Sequence, residues 1–266
     1  MINFHCPLGP PPVLLRLARN TFLILSQEAF LVTYRLPLIS ILPSIAGGLG
    51  FSFIGNSFTY YNTLTGLLWE TARANGIHLQ VEEITVGGYY LHQYIDPEDK
   101  HGTAVGYKLR QQAWDVVVLQ DQSANPAHNP EDFLSASATL SGMIRKAGAV
   151  PCFYQTWSYR DGTEKLRSTG MGYREFYEAL KASYEKAALL NKGMLSPVGT
   201  AFMNVSLKYP EIHLFQETDD YHPTLAGSYL AMCTFYHTLF GKKPEKLYVP
   251  EGLTEDLCRI LSEEAA

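Results

Sequence analysis

From residue 49 onward, short apolar runs alternate with longer stretches whose apolar residues recur every three or four positions. The run LGFSFI at 49–54 is continuous, as in a strand buried on both faces. Residues 61–75 place Leu64, Leu67, Leu68 and Ala72 on one helical face, and 78–85 alternate with the period of two that a strand requires. A short helix is expected at 105–113, and DVVVL at 115–119 is the strongest strand signal in the chain. A helix over 130–146 ends before Gly148, and a strand follows at 149–155. Phe176, Leu180, Tyr184 and Ala187 line one face of a long helix over 173–191. A weaker strand at 195–198 precedes a helix at 201–208. Pro223 at its first position and Gly241 beyond its last frame a helix over 223–240, and a final helix covers 255–264. About five strand–helix repeats, with no linker or internal repeat, predict one α/β domain over 49–266. Its core is a mainly parallel sheet of about five strands with helices on both faces.

Residues 1–48 follow another pattern. Glu28 is their only acid, against Arg16, Arg19 and Arg35, and Pro10, Pro11 and Pro12 are consecutive. The uncharged stretch 36–55 is interrupted by Pro37, Pro43 and the Gly47-Gly48 pair, and its last residues belong to the first strand. What remains is shorter than the roughly 20 residues of a membrane span, so no stable span is expected. Ser44 and Ala46 fit a signal-peptide cleavage site, but the basic region before them is longer than such signals carry. A signal, an anchor and a dispensable extension all stay open, and with them the compartment.

Composition narrows the classes. The 266 residues are 46% hydrophobic and 18% charged, which excludes a disordered or fibrous chain. With 21 Lys and Arg against 26 Asp and Glu, the formal charge of −5 argues against a nucleic-acid partner. Cys6, Cys152, Cys233 and Cys258 form no CxxC pair, so neither a zinc site nor a dense disulfide framework is indicated, although two lone bridges are open. The oligomeric state is not specified by any heptad run or single-sign patch.

In a parallel α/β sheet, ligands bind beyond the carboxyl ends of the strands. The segments placed there are 55–59 (GNSFT), 86–89 (VGGY), 120–123 (QDQS) and 156–160 (TWSYR), joined by 219–222 (DDYH) ahead of the next helix. Together they hold a serine, glycines, amides, acids and a histidine, an inventory that suits acyl transfer. Ser57 is a nucleophile candidate at a strand-to-helix turn, or simply a helix cap. His222 is the candidate base, with Asp219 or Asp220 as the acid that holds its other nitrogen. Backbone N–H groups of Ser57 and Gly88 and the side-chain amide of Gln122 or its neighbour Gln120 are candidate oxyanion donors. No G-x-S-x-G, phosphate-loop, dinucleotide or H-E-x-x-H motif is present.

These blocks resemble those of the SGNH hydrolases, the GDSL-like esterase and lipase superfamily. FIGNSFTYYN resembles the first block, with Gly55-Asn56-Ser57 in place of Gly-Asp-Ser. TVGGYYL resembles the second, and VVLQDQS the third, where the family has Gly-x-Asn. DDYHPTLAGSYLAM resembles the last, with Asp219-x-x-His222. The match runs from about residue 50 to 241. The resemblance implies a flavodoxin-like three-layer α/β/α fold and two-step ester hydrolysis by Ser57, His222 and Asp219. It implies an oxyanion hole from Ser57, Gly88 and Gln122, with no metal or organic cofactor. Asn56, Gln120 and Gln122 depart from the family pattern.

Tyr60, Tyr61, Tyr89, Tyr90, Trp157 and Tyr159 are expected to rim the site, with Tyr60, Tyr89, Trp157 and Tyr159 as substrate contacts. A short acyl ester on a carbohydrate, such as an acetyl ester, is the substrate that family analogy favours. Two rival readings are a non-catalytic carbohydrate-binding protein on the same scaffold and a metal-dependent phosphoesterase using Asp121, Asp219, Asp220 and His222.

Overall fold

The structure, a computed structural model, describes residues 48–265. The signal, anchor and extension readings of 1–48 concern residues that lie outside this range but for Gly48, as does Cys6.

Five strands, β1 (Leu49–Gly55), β2 (Leu79–Thr85), β3 (Val116–Leu119), β4 (Val150–Tyr154) and β5 (Met194–Ser196), form one sheet. Every pairing is parallel and the order is β2-β1-β3-β4-β5, the flavodoxin-like winding. Alternate residues feed two cores. Phe51, Phe53, Val116, Val118, Cys152 and Tyr154 face one layer. That layer is built by α2 (Leu64–Ala74), α8 (Val198–Lys208), α9 (Leu225–Phe240) and α10 (Glu255–Glu264). Ile54, Val117, Leu119 and Phe153 face the other, built by α3 (Lys100–Gln111) and α5 (Pro130–Lys146). The helix α7 (Tyr173–Leu190) gives Phe176 and Leu180 to the first core and Tyr184 and Ala187 to the second. The result is the expected three-layer α/β/α architecture.

The departures have local causes. The helix expected at 61–75 begins only at Leu64, as α2; residues Tyr61–Thr63 form a 3-10 turn, and a short helix α1 (Ser57–Tyr60) precedes it. Asn62 and Thr63 take positive φ of 51°, and the Asn62 amide donates to Pro223 O and Ser228 Oγ, a tertiary demand that overrides helical continuity. The Asp99 carboxylate caps α3 by accepting from His101 N and Gly102 N, so the helix begins five residues earlier than its apolar pattern. Pro223 does not open α9. It pairs with Phe215 in an antiparallel bridge, and Thr224 caps the helix by accepting from Gly227 N. Gly241 ends α9 at φ 68°, as expected. Short helices α4 (Asn125–His128) and α6 (Glu164–Arg167) lie in loops the apolar pattern does not mark.

Cys152, Cys233 and Cys258 are buried free thiols, so the bridges left open above do not form among the described residues. No helix of the described residues is long and apolar enough to cross a membrane.

The sheet positions the site through α9. This helix is buried almost all round, and its first turn presses on the segment that carries His222. A methyl group on Gly227 would meet Leu214 O at 2.5 Å and Pro223 Cβ at 3.0 Å. Gly227→Ala is therefore expected to destabilise the fold by about 1–3 kcal/mol, as overpacked sites do. Urea unfolding should record a lower midpoint with an unchanged m-value, and an unchanged midpoint would contradict the contact.

Candidate active site

Strand order reverses between β1 and β3, and the crevice at their carboxyl ends holds the candidate residues. Ser57 is the first residue of α1. The cap itself is Asn56, whose Oδ1 accepts from Phe58 N at 3.2 Å, so Ser57 is not needed for that role. Instead Ser57 Oγ lies 2.7 Å from His222 Nε2. His222 Nδ1 lies 2.7 Å from Asp219 Oδ2. The other oxygen, Asp219 Oδ1, accepts from Tyr221 N at 3.1 Å and His222 N at 2.9 Å. Burial pushes the Asp219 carboxyl up, but the His222 and Tyr221 donors outweigh it and hold it below the usual carboxylate range.

The choice between two acids is made by backbone shape. Asp220 sits at φ 65°, a left-handed position that Asp tolerates, and its carboxylate turns away to Arg160 at 3.3 Å. That turn brings Asp219 back onto its own histidine. Tyr61 stacks on the His222 ring at 4.2 Å and 7°, and Tyr221 packs at 4.2 Å and 37°. The imidazole is fixed by its neighbours as well as by its bonds. Asp121, Asp219, Asp220 and His222 do not converge, and among the described residues no three His, Cys, Asp or Glu side chains are placed to hold a metal.

The oxyanion candidates separate clearly. Ser57 N–H and Gly88 N–H donate to no acceptor among the described residues, and both residues line the same cleft as His222. Gly88 has φ 74°, and a Cβ there would meet nothing within 4 Å, so the glycine is required by conformation rather than space. Gln122 also lines the cleft. Its Oε1 accepts from Ala124 N at 2.9 Å and Asn125 N at 3.1 Å. Backbone N–H groups only donate, so the end they meet must be the oxygen; the NH2 end donates to Ser123 Oγ at 3.4 Å and has a second hydrogen to offer a ligand. Gln120 is excluded by occupation. Buried completely, it accepts on Oε1 from Asn56 N and Thr59 Oγ1 and donates from Nε2 to Asn56 Oδ1 and Asp121 O.

Of the expected substrate contacts, Tyr60 lines the cleft and is exposed. Trp157 and Tyr159 do not. Trp157 is stacked between Phe58 and Phe202 and donates to Tyr221 O. Tyr159 is buried with its hydroxyl on Ser123 Oγ at 2.7 Å. Tyr89 directs its hydroxyl to Asp99 at 3.0 Å and is not part of the cleft wall. Tyr61, expected at the rim, lines the cleft and stacks on His222, whereas Lys165, which lines the cleft from α6, is a residue that the sequence reading missed.

Fold and hydrogen-bond relay together describe an α/β/α hydrolase. No protein-family model and no curated protein sequence matches the chain. Solved structures do. A candidate SGNH hydrolase from Slackia heliotrinireducens is 30% identical, the alignment covering 72% of this chain and 99% of that one at a TM-score of 0.66. A DUF4886 family protein from Bacteroides uniformis is 22% identical over 82% of this chain and 93% of its own, at a TM-score of 0.70. A variant of an acetyl-xylooligosaccharide esterase from Geobacillus shares the fold at 14% identity and a TM-score of 0.54, covering 74% of this chain and 96% of its own. The chain belongs to the SGNH hydrolase superfamily, a group of ester-hydrolysing enzymes.

Two predictions test how this crevice is held. The Asn56 Nδ2 donates to Tyr89 O at 2.9 Å and Asp121 O at 3.3 Å. Asn56→Asp would place a carboxylate against both carbonyls, taking the Asn56 donor from Tyr89 O and leaving Asp121 O with Gln120 Nε2 alone. We expect a loss of about 1–3 kcal/mol at neutral pH, read by thermal or urea unfolding and smaller at acidic pH. Equal stability at both pH values would contradict this role.

Asp121 is buried behind Gln122. Burial pushes its carboxyl up to about 6, against the downward pull of the Asn125, Leu91 and Gln122 donors. The unfolded chain releases this proton near 3.9, so between about pH 4 and 6 the folded state binds more protons than the unfolded one. Its contribution therefore falls as pH rises through that window and levels off above it, a change of up to about 3 kcal/mol. The stability of Asp121→Asn relative to wild type should grow between pH 4.5 and 7.5 in urea titrations. A flat difference would mean that the carboxyl titrates normally.

Proposed function

We propose that this enzyme is a serine esterase that removes a small acyl group, acetyl being the best fit, from a carbohydrate. The observation that carries the reading is the 2.7 Å contact between Ser57 Oγ and His222 Nε2, with His222 Nδ1 held by Asp219. Ser57 Oγ attacks the ester carbonyl while His222 takes its proton. The tetrahedral oxyanion is met by the N–H groups of Ser57 and Gly88 and by the Gln122 amide. His222 returns the proton to the leaving alcohol, and an acyl-Ser57 remains. Water, deprotonated by His222, then releases the acid and restores the serine. Asp219 fixes the ring tautomer and stabilises the imidazolium. No step needs a metal or an organic cofactor.

The acyl and sugar assignments draw support from the cleft. Its volume of about 290 Å³ suits a short acyl group better than a long chain. Tyr60, Tyr61 and Tyr221 offer aromatic surface for a pyranose face. The acetyl-xylooligosaccharide esterase that shares the fold acts on an ester of this kind.

Hydrolysis of p-nitrophenyl acetate should be abolished in Ser57→Ala, by about a thousandfold or more. A fluorophosphonate should label Ser57 in the wild type, located by mass spectrometry. Wild-type protein that neither turns over nor takes the label would exclude the esterase reading and favour a glycan-binding role for the same cleft.

A further inference from the structure

Among the described residues that line the cleft, Lys165 is the one lysine or arginine, and none is a carboxylate. It stands on α6, in the segment between β4 and α7. This segment is anchored on both sides of the lysine. Leu166 is buried in the core, and Thr163 Oγ1 accepts from Leu166 N and donates to Arg160 O at 2.7 Å. The Thr169 hydroxyl donates to Leu166 O at 2.7 Å. The ammonium is held over two aromatic faces, 4.4 Å from the centre of Tyr221 and 5.2 Å from that of Tyr159. Tyr221 also packs on His222, so this cation and the candidate base share one aromatic neighbour.

Asp219 is bonded to His222 and Asp220 to Arg160. Among the described residues Lys165 takes part in no ion pair. Its ammonium offers three donors and is bonded to none of the described side chains. The Asp219 carboxylate sits behind the His222 ring and does not line the cleft, whereas Lys165 does, so a ligand's negative group is favoured on the lysine side of the cleft.

We propose that Lys165 is a specificity residue for an ester that carries a carboxylate close to the scissile bond. The proposal rests on the esterase reading and narrows its substrate class. The carboxylate has two possible sources: the alcohol side, as in an acylated uronic acid, or the acyl side, as in a half-ester of a dicarboxylic acid.

The test compares kcat/KM for matched anionic and neutral esters at low ionic strength. One pair is an acetylated methyl glucuronoside against the acetylated methyl glucoside, and the other is mono-p-nitrophenyl succinate against p-nitrophenyl butyrate. Wild type should prefer the anionic member of one pair by about tenfold, and the pair that shows it identifies the side. The preference should collapse in Lys165→Met, return in Lys165→Arg, and shrink with added salt in the wild type alone. Turnover without preference in either pair, or a preference that survives Lys165→Met, overturns the proposal and leaves the esterase reading intact. If no ester turns over, calorimetric titration of Ser57→Ala with the same pairs separates the two claims. Selective binding of the anionic member, lost on adding Lys165→Met, would sustain the Lys165 assignment without the esterase, and equal binding would remove both.

Discussion

The reciprocal amide pair of Asn56 and Gln120 holds the carboxyl ends of β1 and β3 together where the winding of the sheet reverses. Gln120 accepts from Asn56 N and donates to Asn56 Oδ1, and the remaining donors of Asn56 reach Tyr89 O and Asp121 O. Three chain segments that have no covalent reason to meet are fixed by one buried group of amides. Ser57 follows directly from this knot, so its direction is set before any contact with His222. Gly55 completes it, because a Cβ there would meet Gln120 Oε1 and Thr59 Oγ1 at 2.6 Å. Asp121 extends it by accepting from Leu91 N and Gln122 N, which ties the Gly88 loop to the Gln122 loop.

The departures from the family motifs form a single arrangement in this light. Asn56 stands where the resemblance expects an acid, and Gln120 where it expects a glycine. An ionised acid at 56 would lack the donor that Tyr89 O and Gln120-bonded Asp121 O now share, and a glycine at 120 would leave Asn56 N and Thr59 Oγ1 without their acceptor. The two substitutions are complementary: each supplies the donor or acceptor that the other needs.

Much of this was legible in the sequence because it depends on local pattern. The β-branched run at 116–118 and the period of two along 79–85 are properties of the segments themselves. The spacing of Asp219 and His222 specified their convergence once a turn was assumed. What the sequence withheld depends on contacts between distant segments. The residues 156–160 follow a strand as the rim residues do, yet Trp157 and Tyr159 turn inward because the 219–223 segment closes over them. Nothing in the local pattern distinguishes an aromatic at the rim from one in the floor. The early start of α3 was readable from Asp99 as a cap, whereas the break at Asn62 answers to Pro223 and Ser228, more than 160 residues away.

The acid and the base lie within one four-residue turn, whereas the serine is 165 residues from the histidine. The pair formed by Asp219 and His222 closes a loop so short that its entropy cost is small. The serine joins it only when the start of the sheet and the segment ahead of α9 are packed together, the most non-local contact in the site. During refolding, recovery of the Ser57–His222 contact therefore reports late docking of the chain's two ends of the domain rather than formation of the parts. Cutting the chain in the exposed loops between them would leave the local pair able to form while separating it covalently from its nucleophile. Two fragments that reassemble would have to rebuild the amide knot before the serine could be aimed.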